Sequence, residues 1–218
     1  DKNAIIPRFE NGRFDYVWIQ KAFKLEGNRQ EVSWWVRAIT RLPTCPQLRM
    51  ENSKQFKPMQ ERVRFTEGTP FVEKDTRGPQ LVCQMEIEKN DGAYVEIWDN
   101  PTTDIGLPDE DLTRLHIPKI ERRVYVVGDT GRYKLKKLPA FAAVAEEISK
   151  WVNVGSGGSD DLLQSMVFHV GDYVYATEDL KKPEDWSMWE KEFFNPGNSL
   201  LYKAPFAFAR GNHEECKK

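Results

Sequence analysis

Val167-Phe168-His169-Val170-Gly171-Asp172-Tyr173-Val174-Tyr175 runs an apolar stretch straight into a Gly-Asp corner. Two more stretches, one on either side of it, run into a Gly-acid or Gly-amide corner in the same way. They are Val124-Tyr125-Val126-Val127-Gly128-Asp129-Thr130-Gly131 and Phe206-Ala207-Phe208-Ala209-Arg210-Gly211-Asn212-His213-Glu214. Each reads as a buried strand that ends in a tight turn and offers polar donors at its carboxyl end. In open α/β sheets ligands bind at that edge. Helical spacing fills the gaps. Phe141, Val144, Ala145, Ile148 and Val152 predict a helix around 139–152, and Trp186 to Phe194 reads as a second one. The strands themselves are expected at 123–128, 166–170 and 205–209. Alternating strands and helices imply a mostly parallel sheet.

The chemistry follows from the donors. An aspartate at the end of a buried strand is costly unless a cation or hydrogen bonds compensate it. Asp129 and Asp172 hold equivalent places on two strands, and side by side they would push one carboxyl pKa up. Two cations remove that repulsion. Gly128, Gly171 and Gly211 permit sharp turns and close backbone approach. Tyr175, three residues after Asp172, brings a phenol suited to a hard trivalent ion. Asn212 brings an amide oxygen suited to a hard divalent one. His213 is placed to touch substrate rather than metal. A lone Gly-Asp is usually a turn or cap, but three such ends, about 40 positions apart, do not arise from packing alone.

Outside this region the chain reads differently. Glu31 to Thr40 is rich in aromatic and β-branched residues, and Leu81 to Glu88 alternates apolar with polar, the period of a half-buried strand. Asn90-Asp91-Gly92-Ala93 then predicts a hairpin turn with Ala93 to Trp98 as its return strand. Short strands between Pro, Gly and Asn clusters predict a small antiparallel sandwich. Pro101, Pro108 and Pro118 mark a boundary near 100–122, with an exposed linker from Asp104 to Asp111. His116 reads as a surface histidine, and His169, inside an apolar strand, as buried and hydrogen-bonded. Gly155 to Asp160 is a Gly/Ser connection, not a P-loop, since no Lys-Ser or Lys-Thr follows it.

Bulk numbers bound the rest. The 218 residues are 39% hydrophobic and 30% charged, which supports a folded core rather than disorder. A net charge of −2, with signs mixed along the chain, gives no sign of a phosphate-backbone binder, so no nucleic-acid backbone binding is expected. No apolar run approaches the ~20 residues that span a bilayer. The start Asp1-Lys2-Asn3-Ala4, without Met, fits a periplasmic or secreted mature protein or a trimmed chain; a periplasmic or secreted setting is expected, with a cytoplasmic one as the alternative. Cys45 and Cys83 are able to pair; free, partly buried cysteines are the equal alternative, and Cys216 has no evident partner.

Gly128-Asp129-Thr130-Gly131, Gly171-Asp172-Tyr173-Val174-Tyr175 and Gly211-Asn212-His213-Glu214 resemble the first three of five motifs of the calcineurin-like metallophosphoesterases. The Tyr175 position points to their purple acid phosphatase type. The resemblance covers roughly residues 122–216. It implies an α/β (α+β) chain: an amino-terminal antiparallel β-sandwich over 1–121, then the first half of an αββα metallophosphoesterase domain over 122–218. It implies a hydrolase with two metal ions, iron with iron, zinc or manganese. Asp129 and Tyr175 would bind the first ion, Asp172 would bridge, Asn212 would bind the second, and His213 would serve as the catalytic residue. The substrate would be a small phosphate ester, with a metal-activated hydroxide attacking phosphorus in line.

The remaining two motifs, with three histidine ligands, are not found in residues 1–218. The missing carboxyl half is therefore expected to complete the site, and 1–218 alone is expected to be a poor catalyst. Two rival readings stay open. One is a phosphodiesterase or nucleotidase with the same metals. The other is a binding or surface protein with the sandwich as its working part and a degenerate phosphatase-like part; an exposed aromatic patch on residues 1–120, for instance around Trp34, Trp35 and Trp98, would favour it.

Overall fold

The computed structural model describes residues 16–26, 29–64, 81–88, 92–98, 113–117, 123–131, 140–152, 165–175 and 186–211. Several expectations lie outside them: the Asp104–Asp111 linker, the Gly155–Asp160 connection, Cys216, Asn212 and His213. The strands are β1 (Tyr16–Glu26), β2 (Arg29–Thr40), β3 (Gln47–Met50), β4 (Lys57–Pro58), β5 (Gln60–Arg64), β6 (Leu81–Ile87), β7 (Tyr94–Trp98), β8 (Thr113–His116), β9 (Arg123–Val127), β10 (Ser165–His169) and β11 (Phe206–Phe208). They form a seven-stranded sheet in the order β5-β6-β2-β1-β11-β10-β9 and a four-stranded sheet in the order β4-β3-β7-β8.

Both sequence patterns found above live in the large sheet. β5, β6, β2 and β1 are antiparallel, whereas β9, β10 and β11 are parallel. The two halves meet where β1 pairs in parallel with β11, Gln20 opposite Phe206. The sheet thus runs across the boundary drawn at residues 121 and 122. β1 and β2 tolerate this central position because both of their faces are apolar. Val17, Ile19, Trp34, Val36 and Ala38 face the small sheet, and Tyr16, Trp18 and Ile39 face the helices.

The antiparallel half of the large sheet packs against the small sheet. Leu48 on β3, Leu81 and Cys83 on β6, Val95 and Ile97 on β7 and Leu115 on β8 close the core between them, all almost fully buried. Each large side chain there stabilises the fold by about 1.5–3 kcal/mol. A disulfide between Cys45 and Cys83 ties the segment entering β3 to β6, and so one sheet to the other. The predicted β6–β7 hairpin is not formed. β6 pairs with β2 and β5, and β7 pairs with β3 and β8. Alternation puts the same residues inward whether two strands are neighbours or face each other across a core, so the period alone did not separate the two. Gly92 still carries the positive φ expected there, 148°.

The other face of the large sheet is covered by helices. In α1 (Ala140–Val152) Phe141, Ala145, Ile148 and Val152 are buried, while Val144 lies on the outer side. The second helical region runs further than the predicted Phe194. It consists of α2 (Trp186–Trp189), a π turn (Glu190–Phe194) and α3 (Asn195–Leu201). Pro196 explains the π turn. A proline inside a helix has no N–H, and its ring collides with the carbonyl four residues back. Widening the preceding turn, with the Asn195 N–H bonded to the Glu190 carbonyl, lets the chain pass Pro196 and continue.

Candidate metal centre

β10 is the middle strand of the parallel group, with β9 and β11 on its two sides. Registers Val127 opposite His169 and His169 opposite Phe208 bring the three strands to an end at one level. The turns that follow are sewn together by backbone bonds. The Asp129 N–H donates to the Gly171 carbonyl (3.2 Å), and the Thr130 and Gly131 N–H groups to the Asp172 carbonyl (3.0 and 3.3 Å). The Ala209 N–H donates to the His169 carbonyl (2.8 Å), and the Tyr173 hydroxyl to the Ala209 carbonyl (2.5 Å). Gly171, at φ 105°, packs so closely on Gly211 that a Cβ there would collide with the Gly211 backbone nitrogen. Only glycine fits.

Asp129 and Asp172 share an uncommon backbone state. Both are left-handed, at φ 52° and 58°. For a residue with a Cβ this costs on the order of 1 kcal/mol, and its occurrence twice, at equivalent strand ends, marks a functional candidate. Their carboxylates converge on one phenol. The Tyr175 hydroxyl donates to Asp129 Oδ1 at 2.6 Å and lies 3.4 Å from Asp172 Oδ2. Burial, then the hydrogen bond to Asp129 and the charges of both aspartates, push the Tyr175 hydroxyl well above its ordinary pKa. Its backbone is held from below, where Tyr175 N–H donates to Glu192 Oε2 (3.2 Å), a buried carboxylate on the π turn.

His169 is fully buried and hydrogen-bonded, as its apolar strand suggests. Its Nδ1 accepts from the Gly171 N–H (3.2 Å), and its Nε2 lies 2.6 Å from Thr130 Oγ1. The ring stacks on Tyr173 at 4.0 Å, with Phe141 and Phe193 edge-on. Burial lowers its pKa to about 4, against opposing pulls from Asp129 and Asp172, so the imidazole is neutral.

Of the residues singled out from the sequence, Asp129, Asp172 and Tyr175 come together. Asn212 and His213 lie outside the described residues, one and two positions beyond Gly211. Among the described residues no group of three or more His, Cys, Asp and Glu side chains is assembled. Two carboxylates and a phenol are nevertheless hard oxygen donors that fit a hard cation. Thr130 and Glu192 escaped sequence reading. Thr130 sits inside a quoted motif, and Glu192 gave no signal, because its place depends on the π turn. His116 is exposed at the end of β8 in the other sheet, against Tyr94. Trp34 is buried between the sheets, so it contributes to no exposed aromatic patch of the kind that would favour the surface-binding reading.

Residues 122–218 match the family model described as calcineurin-like phosphoesterase. The match supports placing this part of the chain among the metallophosphoesterases, metal-dependent hydrolases of phosphoesters. No curated protein matches the chain, and no solved structure does.

Proposed function

We propose that the protein is a dinuclear-metal phosphoester hydrolase of the purple acid phosphatase type, acting on small phosphate monoesters. The observation that supports this most is the meeting of Asp129, Asp172 and Tyr175 at the ends of adjacent parallel strands. Asp129 and Tyr175 would hold one ion, Asp172 would be shared, and Asn212 would hold the second. Iron paired with iron, zinc or manganese suits this donor set. When bound, such a pair supplies Lewis-acid activation of water and neutralises phosphoryl charge.

The chain's own residues prepare for that. Asp172 follows the middle strand of the three, so it is the carboxylate best placed to be shared. Tyr175 keeps its proton on Oη while facing the two aspartates, and holding a cation requires that proton to leave. Glu192 keeps the Tyr175 backbone in place. His213 would contact phosphoryl oxygens or pass a proton to the leaving alkoxide. The three histidines in the sequence are His116, His169 and His213. His116 belongs to the other sheet and His169 faces Thr130, so further histidine donors would come from outside residues 1–218.

The Cys45–Cys83 disulfide favours an oxidising, periplasmic or secreted setting. No helix among the described residues is long and apolar enough to cross a membrane. The test is Asp172→Ala in the full-length protein. Elemental analysis should show iron, zinc or manganese lost, and hydrolysis of an aryl phosphate should fall at least 1,000-fold, the scale on which a catalytic metal acts. Unchanged metal content and activity would end this reading.

A further inference from the structure

The geometry points to His169 and Thr130 as a pair of positioning residues: a buried side-chain strut that locks the Asp129 turn against the Asp172 turn. The inference rests on the metal-centre reading above. It starts from the tautomer. His169 Nδ1 accepts the Gly171 N–H at 3.2 Å, so in the neutral ring the proton sits on Nε2. Nε2 therefore donates to Thr130 Oγ1, 2.6 Å away. One ring thus grips the corner before Asp172 with one nitrogen and the residue after Asp129 with the other.

A second tie runs in parallel. The Thr130 N–H donates to the Asp172 carbonyl at 3.0 Å, so Thr130 is tied to the second turn directly through its backbone and, by way of the His169 ring, through its side chain. The ring has little freedom. It is fully buried at the end of the central strand, stacked on Tyr173 and met edge-on by Phe141 and Phe193. Thr130 itself is 3% exposed. Such anchoring has a physical purpose. Asp129 and Asp172 both hold left-handed backbone angles, which relax unless their surroundings over-determine them. Metal donors, moreover, bind well only when outer residues hold their orientation, an effect typically worth 10–100-fold in affinity.

The experiment compares shape with hydrogen bonding at one position. Thr130→Val keeps the volume and removes the oxygen, and Thr130→Ser keeps the oxygen. Zn2+ binding to the metal-free full-length protein is measured by calorimetry. Amide exchange at residues 129–131 and 171–173 is measured without metal. Thr130→Val is expected to bind Zn2+ at least tenfold more weakly and to exchange at least tenfold faster in both turns, with β10 unchanged. Thr130→Ser is expected within threefold of the parent in both. Should Thr130→Val not fold, Thr130→Cys, a poor acceptor of the right size, takes its place and is expected to behave like Val. Wild-type affinity and exchange in the Val or Cys variant, or equal impairment of Val and Ser, overturns the strut. A parent protein that binds no Zn2+ sinks the metal-centre reading instead, and the exchange rates then decide the strut by themselves.

Discussion

Glu96 in the small sheet and Asp129 at the end of the large one are both carboxylates held by strands, and the protein treats them in opposite ways. Glu96, 3% exposed, lies between two guanidiniums supplied by the neighbouring strands. Arg49 donates through Nε and Nη2 at 2.9 and 2.5 Å, and Arg114 through Nε at 3.0 Å. Phe56 and Tyr94 stack on those guanidiniums in turn. Burial pushes the Glu96 carboxyl up, but the hydrogen bonds from Arg49 and Arg114 outweigh that and hold it below the usual carboxylate range. Asp129 faces a neutral phenol hydroxyl and, beyond it, the charge of Asp172. The sandwich completes its electrostatics internally. At the strand ends Asp129 is met by a phenol rather than a guanidinium, and under the proposed function a bound cation would take the part that Arg49 and Arg114 take at Glu96.

The largest effect expected from disturbing the contrast is on the sandwich side, at the disulfide. Cys45 and Cys83 are 38 residues apart, and opening a loop of that length costs about 4 kcal/mol in chain entropy. Cys45→Ser with Cys83→Ala should therefore lower the denaturation midpoint strongly, while Zn2+ affinity of the folded protein stays within threefold. A fall in affinity of tenfold or more would show that the sandwich tunes the site and that the two regions are not independent.

Glu96→Gln comes next. It removes the negative charge that Arg49 and Arg114 share. Because their side chains keep 29% and 47% exposure, water screens part of the penalty, and a loss of about 2 kcal/mol is expected. Metal binding should not change. Chemical denaturation that gives Glu96→Gln the stability of the parent would mean the pair of guanidiniums is solvated well enough to need no partner.

What the sequence disclosed, and what it withheld, divides along the same line. Where burial imposes a clear period strand positions were legible: the bounds of β2, β6, β7, β9, β10 and β11 differ from the expected ones by at most two positions, whereas β1, β3, β4, β5 and β8 were not placed. Pairing was not legible. β6 and β7 present inward residues to one core from different sheets, and a hairpin would carry the same alternation. The turns that bring Asp129, Asp172 and Tyr175 together could be read because glycines and apolar runs frame them. Glu192 could not, since Pro196 displaces the helical register that would locate it. The Cys45–Cys83 bond stayed one of two options, because sequence separation says nothing about distance.

The smallest expected effect is the sharpest test of the contrast: Asp129→Asn, measured without metal. The Asp129 and Asp172 oxygens that face Tyr175 Oη lie 2.6 and 3.4 Å from it, so they are at most 2.6 plus 3.4, or 6.0, Å apart. Asp129 is exposed, and with water-like screening two negative charges at that separation repel by roughly 0.7 kcal/mol. Asparagine keeps an oxygen to accept from Tyr175, and it tolerates the left-handed backbone angle as well as aspartate does. Replacing Asp129 therefore relieves repulsion without removing a bond, and the melting temperature should stay level or rise by about 2 °C. Glu96→Gln, the same chemical change, moves stability the other way. If Asp129→Asn instead lost as much stability as Glu96→Gln, the fold would be using Asp129 as it uses Glu96, and the case for a charge held open for a cation would fall with it.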